Sequence, residues 1–442
     1  MRHQPIPPRL FIENRARLAK LLPRRSIAIV NANDLAPTNA DGLSLMIPNS
    51  DLFYLTGVEQ EESVLVLAPD AANPRLRAVL FVREPNPHLA LWEGYKLSKE
   101  DATRISGVPE IKWLSELPGH LRILFCELDH VHLNSNEHPR ATVEVQSRDA
   151  RFIEALRSQY PLHDYRRLAP LLHKLRLVKS PAEVDLLRKA CSITHEGFLR
   201  VLRTTRPGLN EADLEAEFAH EFTRSHARFA YNPIIASGPN ACVLHYNQND
   251  QPLRPGQLVL LDVAASYANY NADLTRTIPV SGRFSPRQRD VYQSVLRVLR
   301  SMINEARPGV LHADWQKKSL AVMTEELLRL KLITREQVRK QKPDSPAAKK
   351  YFMHGLGHSL GLDVHDVGSL HQPFAPGWVL TVEPGIYLPE EGFGIRLEND
   401  ILVTKGRPID LMANIPIEPD AIEDLMHQPA PRRPTSKRAA KR

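Results

Sequence analysis

Short apolar runs alternate with polar, proline-bearing stretches in the first part of the chain. Ser26–Ala32, Ser63–Pro69, Arg77–Val82 and Arg122–Leu128 are rich in β-branched and large apolar residues and predict strands. Helix-like segments such as Arg151–Gln159 lie between or after them. This pattern predicts an α/β domain over residues 1–172. No phosphate-cradling glycine loop follows any of these strands, so no nucleotide site is expected.

The period changes near Leu175. Ser180-Pro181 reads as a helix start, with serine as cap and proline in the first turn. Val184, Leu187, Cys191 and Phe198 then keep helical spacing through Leu202. Further helices are predicted over Ala212–Ser225, from Ser285-Pro286 through Met302, and over Asp314–Leu330. Leu258–Ala265, Thr275–Val280, Val379–Val382 and Gly394–Val403 read as strands. Strands and helices are mixed rather than strictly alternating, which predicts an α+β second domain with a largely antiparallel sheet over residues 173–427.

Composition narrows the class. At 442 residues the chain exceeds one ordinary core, and 42% hydrophobic with 25% charged residues is normal for a globular protein. No apolar run approaches bilayer length, so no membrane partner is expected. The N-terminal stretch lacks the apolar region of a secretory signal. Three scattered cysteines, Cys126, Cys191 and Cys242, suit a reducing cytoplasm rather than a disulfide framework. The net charge is +7, and six of those charges sit at Arg432, Arg433, Lys437, Arg438, Lys441 and Arg442, leaving +1 elsewhere. Residues 428–442 therefore read as a solvated, disordered basic tail, and a nucleic-acid function is not inferred from it.

Candidate chemistry begins with two aspartates. Asp262 ends the apolar run Gln257–Leu261, and Asp273 follows eleven residues later, after a polar turn. A hairpin of that length sets both carboxylates on one face. Taken alone, the pair also reads as two turn or cap aspartates. A carboxylate continuing a buried strand, however, must be paired, hydrogen-bonded or metal-bound. The stretch HGLGHSLGLDVH, from His354 to His365, holds three histidines and glycines at 355, 357 and 361. The i,i+4 spacing of His354 and His358 suggests a zinc-protease helix, but Gly355 stands where that motif needs glutamate. Two intervening glycines also disfavour a helix, so the run reads as backbone passing close to a neighbour.

Glu383 ends the run Trp378–Val382 and precedes Pro384, which stops the ladder. Glu398 lies in Gly394–Asp400, where a single strand would put Arg396, Glu398 and Asp400 on one face. By itself that segment also fits an amphipathic edge strand. Together these positions supply four carboxylates and one imidazole, a hard donor set that favours manganese or a similar divalent ion over a thiolate zinc site. Four carboxylates repel one another unless cations neutralise them, and two divalent ions match their charge. Two such ions about 3.5–4 Å apart share and activate a hydroxide and polarise a carbonyl.

The segments LVLLDVAASYANYNADLTRT, HGLGHSLGLDVHD, LTVEPGIY and GIRLEND, in this order, resemble the metal-binding blocks of the pita-bread metallopeptidases. Within that group the chain is most similar to the Xaa-Pro aminopeptidases (aminopeptidase P). Asn49–Gly57 and Leu175–Val184 resemble that family's creatinase-like N-domain and its inter-domain connection. The resemblance implies a curved, mainly antiparallel catalytic sheet. It also implies removal of the N-terminal residue from peptides with proline second, by attack of a hydroxide bridging two metal ions, most often Mn2+. It makes Asp262, Asp273, His358, Glu383 and Glu398 the metal ligands, with Asp273 and Glu398 bridging and Glu383 also handling the proton. It makes His245 and His365 catalytic, and it places His354 and Arg396 around the substrate proline. It further implies a homodimer or homotetramer in which the N-domain shapes a neighbour's cleft.

The chain departs from the family's GIRIEDD pattern at Asn399, which on a strand points away from Glu398. The stretches His226–Pro233 and Pro389–Phe393 look short, which leaves the preferred first residue and peptide length open. The nearest alternative on this fold is prolidase, which takes only Xaa-Pro dipeptides. Methionine aminopeptidase needs no such N-domain, and creatinase works without this ligand set. A non-catalytic binding protein on the same fold would be expected to have lost ligands, and here all five stand.

Overall fold

Apolar β-branched residues at Ser26–Asn31 form β1, the central strand of a six-stranded sheet. The other strands are β2 (Val64–Leu67), β3 (Ala78–Val82), β4 (Glu110–Trp113), β5 (His130–Leu133) and β6 (Asp164–Arg167), in the order β4-β3-β2-β1-β5-β6. β1, β2 and β3 pair antiparallel, whereas β3/β4, β1/β5 and β5/β6 pair parallel. The computed structural model describes residues 3–141, 144–368 and 371–428, so the basic tail beyond Gln428 lies outside the described residues.

The strand expected at Arg122–Leu128 is a helix, Leu117–Glu127. Its apolar composition suits either state, but Leu117, Leu121, Leu124 and Phe125 fall on one helical face and pack on Ile27, Ile29 and Phe81. The strand follows instead at β5. Burial against the sheet overrode the residues' β-preference.

The chain divides into two compact units, Met1–Ala182 with Asp366–Gly368, and Glu183–His365 with Ser369–Arg442. In the first unit, Asp366 accepts from Arg176 (2.6 Å) and Lys179 (2.9 Å), and Arg176 also reaches Asp51 at 2.8 Å. All four side chains are largely buried, so each charge depends on its partner.

The second unit is built on long helices Pro181–Thr204, Glu211–Arg224, Pro286–Glu305 and His312–Arg329. The starts follow the sequence: the Ser285 side chain accepts from Gln288 N, with Pro286 in the first turn. The strands are β7 (Arg228–Phe229), β8 (Ile234–Ser237), β9 (Leu258–Asp262), β10 (Ala265–Tyr267), β11 (Tyr270–Asn271), β12 (Thr275–Pro279), β13 (Val379–Val382), β14 (Gly385–Leu388), β15 (Phe393–Arg396), β16 (Asn399–Leu402) and β17 (Ile409–Asp410). Every pairing among them is antiparallel. The architecture is α+β, as expected. Among the described residues, no helix is long and apolar enough to cross a membrane.

Two local expectations change. The polar turn between the aspartates contains its own hairpin, β10–β11, turned by Ala268 and Asn269 with positive φ. The strand expected over Gly394–Val403 is broken. Its first half, β15, pairs with β14, and its second half, β16, pairs with β13. At the break, Glu398 N donates to Thr275 O at 3.0 Å, so the chain switches partners where Glu398 stands.

Candidate metal centre

The site is assembled in the second unit from strand ends. Asp262 closes β9 opposite Thr275 of β12, and Asp273 stands two residues before that Thr. Glu383 follows β13, and Glu398 occupies the break between β15 and β16. His358 comes from the glycine-bearing stretch, which runs beside β13: Thr381 N donates to His358 O (2.9 Å), and Glu383 N donates to Leu356 O (2.7 Å). A Cβ at Gly357 would lie 2.0 Å from Thr381 O, so only glycine lets the loop pass this strand.

These side chains converge. Asp273, His358 and Glu398 each offer a ligand atom, all within 4.8 Å of one another. His358 Nε2 lies 3.5 Å from Asp273 Oδ2 and 3.7 Å from Glu383 Oε1. His358 Nδ1 sits 3.0 Å from Ser359 O, a contact in which Nδ1–H donates and leaves Nε2 as the free lone pair facing the carboxylates. Asp262 joins through Tyr231, whose hydroxyl is 2.6 Å from Asp262 Oδ1 and 2.6 Å from Asp273 Oδ1. Thr275 Oγ1 donates to Glu398 Oε2 at 2.7 Å.

Burial raises the Glu398 carboxyl well above the usual range, and Asp273, Glu383 and Asp262 raise it further. Glu383 is pushed up to about 7, first by burial and then by its carboxylate neighbours, against the pull of His358 and Arg396. Burial likewise raises Asp273, with Asp262 adding to the effect. Burial opposes a charge on His358, but Asp273 and Glu383 outweigh it and raise its pKa. One tyrosine proton cannot serve two carboxylates at 2.6 Å. Ionised together, these groups need positive charge, and oxygen donors with one imidazole at this spacing fit a hard divalent cation.

A second group lines one side. Arg396 Nη2 donates to Asp262 Oδ2 (2.6 Å) and its Nη1 to the Tyr387 hydroxyl (2.8 Å). The same hydroxyl lies 2.8 Å from His354 Nε2. Burial and then the Arg396 charge push His354 down to about 3, so it is neutral at physiological pH. The His365 ring lies against that of His358, with centroids 3.8 Å apart and planes tilted by 33°. His245 is exposed on the segment after Cys242.

Eight of the nine residues singled out in the sequence are joined by contacts in this cluster, and His245 stands exposed on a separate segment. Tyr231, Thr275 and Tyr387 were not singled out. Tyr387 and Thr275 sit inside the quoted LTVEPGIY and LVLLDVAASYANYNADLTRT segments and Tyr231 in the stretch His226–Pro233, but nothing in the sequence marks any of them as facing a carboxylate. Asn399 turns away from Glu398, accepting from Arg276 Nη2 (2.8 Å) and donating to Asp410 Oδ2 (2.6 Å).

Comparison with known proteins agrees with this architecture. The model of metallopeptidase family M24 matches residues 185–405, and that of the aminopeptidase P N-terminal domain matches residues 11–132. The chain is 36% identical to the Xaa-Pro aminopeptidase of Escherichia coli K12, over 94% of this chain and 97% of that protein. Among solved structures it resembles E. coli aminopeptidase P with the inhibitor Pro-Leu (TM-score 0.85, 35% identity, 96% of this chain and 99% of the other). It also resembles Pseudomonas aeruginosa aminopeptidase PepP (TM-score 0.87, 32% identity, 96% and 98%). With one family model spanning every carboxylate of the cluster and relatives matching from end to end, the chain belongs to metallopeptidase family M24, in its two-domain aminopeptidase P form.

Proposed function

We propose that this chain is a metal-dependent Xaa-Pro aminopeptidase, releasing the N-terminal residue from peptides whose second residue is proline. The observation that carries the reading is the convergence of Asp262, Asp273, His358, Glu383 and Glu398 from five separate places in the sequence. These five would hold divalent metal, most simply two Mn2+ ions. When bound, such ions supply Lewis acidity to the scissile carbonyl and to the attacking water.

The chain's own groups do the rest. Glu383 would take a proton from the attacking water and pass it to the departing proline nitrogen. His245 and His365 flank the reacting carbonyl and donate to the developing oxyanion. His354, neutral and fixed by the Tyr387 hydroxyl, forms with Arg396 a wall against the pyrrolidine ring. The Xaa-Pro bond has no N–H, so a pocket shaped for the ring, without an acceptor for that hydrogen, takes what other peptidases reject. The free amino terminus of the substrate meets the carboxylate end of the cluster.

Further features of the reading follow from each unit. On this reading residues 1–172 are the N-terminal domain and 173–427 the catalytic domain, while the compact units divide ten residues later, after Ala182. A homodimer or homotetramer is supported by apolar residues that the first unit leaves exposed, notably Leu45, Leu91, Trp92 and Tyr95. A cytoplasmic setting is supported by the three unpaired cysteines.

The test is an assay of Xaa-Pro-Yaa tripeptides beside Xaa-Pro dipeptides in defined metals. Turnover of the tripeptide that is lost on chelation and restored by Mn2+ is expected. Cleavage of dipeptides alone would make the enzyme a prolidase, and cleavage of neither would leave a binding protein.

A further inference from the structure

Glu211 is fully buried yet lies away from the metal cluster, in the first turn of helix Glu211–Arg224. Its carboxylate is saturated by the segment that carries His245. Oε1 accepts from Ser237 N and Ser237 Oγ, both at 2.7 Å, and more distantly from Asn240 Nδ2 (3.5 Å). Oε2 accepts from the Tyr246 hydroxyl (2.8 Å) and from Gln251 N (3.0 Å). One side chain thus fixes residues 237, 240, 246 and 251, both feet of the loop and the residue next to His245. Other contacts hold the loop as well: Cys242 Sγ donates to Phe393 O (3.4 Å), Asn249 Nδ2 to Glu215 Oε2 (2.9 Å) and Asn210 Nδ2 to Asp250 O (2.8 Å). Asn249 is held at Ile235 N and Pro233 O, and Tyr246 packs with Ile234, Leu260 and Tyr387. Val243 and His245 themselves are exposed.

We propose that Glu211 is a positioning residue that holds the His245 loop in its working geometry. The inference rests on the peptidase reading, in which His245 faces the reacting carbonyl. A buried carboxylate receiving this many donors is costly to lose, because each donor is then left unpaired. A loop displaced by about 1 Å costs on the order of 100-fold in rate when it carries a reacting group. In Glu211→Gln the shape is kept, but an NH2 group replaces one oxygen and opposes either Gln251 N–H or Ser237 N–H. The feet of the loop are loosened while the metal cluster is untouched.

The experiment compares wild type, Glu211→Gln, His245→Ala and the double variant, each with its metal content measured. Glu211→Gln is expected to lower kcat about 10–100-fold with little change in KM and full metal content. The double variant should be no slower than His245→Ala alone, since both changes remove the same contribution. Amide exchange across residues 238–250 should accelerate in Glu211→Gln, a readout that exists whether or not the chain cleaves any peptide. Wild-type kcat in Glu211→Gln, full additivity with His245→Ala, or unchanged exchange would overturn the assignment. An inactive wild type would overturn the peptidase reading instead, leaving the exchange result to decide the loop.

Discussion

Arg396 Nη2 stands 2.6 Å from Asp262 Oδ2, so a fixed cation touches one edge of a cluster that otherwise gathers negative charge. Both side chains are largely buried, and the same guanidinium fixes the Tyr387 hydroxyl. Removing it leaves Asp262 without its partner. Arg396→Ala is expected to destabilise the metal-free protein by roughly 3 kcal/mol, read by urea unfolding in chelator. Saturating metal should restore much of that loss, because cations then supply the missing charge. Equal stability of variant and wild type in chelator would show that the pair contributes nothing.

Metal and pH act on the same carboxylates. The raised Glu383 pKa, about 7 against 4.5, means the folded metal-free protein holds this proton more tightly than the unfolded chain. That contribution to stability is full below pH 4.5 and is lost as pH rises through 7. The metal-free protein should therefore weaken from pH 5.5 to 8, and divalent metal should cancel the trend. At a hundredfold excess of metal over Kd the gain should be about 2.7 kcal/mol. Glu398→Ala should abolish both the gain and the activity. Differential scanning in chelator and in Mn2+ reads all of this.

His365 separates chemistry from metal binding. Its ring lies against His358, with the two planes tilted. If it donates to the oxyanion, His365→Ala should lower kcat about 100- to 1,000-fold with metal content unchanged. Loss of metal from that variant would make His365 a support for the His358 ligand rather than a catalytic group.

His120 in the first unit predicts an acid sensitivity unrelated to the site. It is 3% exposed, packs edge-on against Phe81, and neither ring nitrogen meets a protein partner among the described residues. Burial, aided by Lys112, depresses its pKa from 6.5 to about 4. The unfolded chain therefore takes up this proton first, and stability is lost as pH falls from 6.5 towards 4. His120→Leu should blunt that loss by roughly 2–3 kcal/mol at pH 4. An unchanged acid limb in chemical denaturation would show that His120 stays uncharged or finds solvent.

The sequence by itself determined the family's ligand pattern and the starts of the long helices of the second unit. Asp262, Glu383 and the glycine-spaced histidines were legible because a charged group ending a buried run, or glycine repeated beside histidine, has few ordinary explanations. Ser285-Pro286 and Ser180-Pro181 were legible because capping is local. Tertiary structure alone decided the rest. Leu117–Glu127 is a helix because one face meets the sheet, a choice composition leaves open. The strand through Glu398 breaks because its two halves find different partners, which no period-2 pattern encodes. Tyr231 lies between two aspartates, and Glu211 grips a loop running to Gln251. Both contacts join residues far apart along the chain, and hydrogen bonds of that kind leave no periodic trace in the sequence.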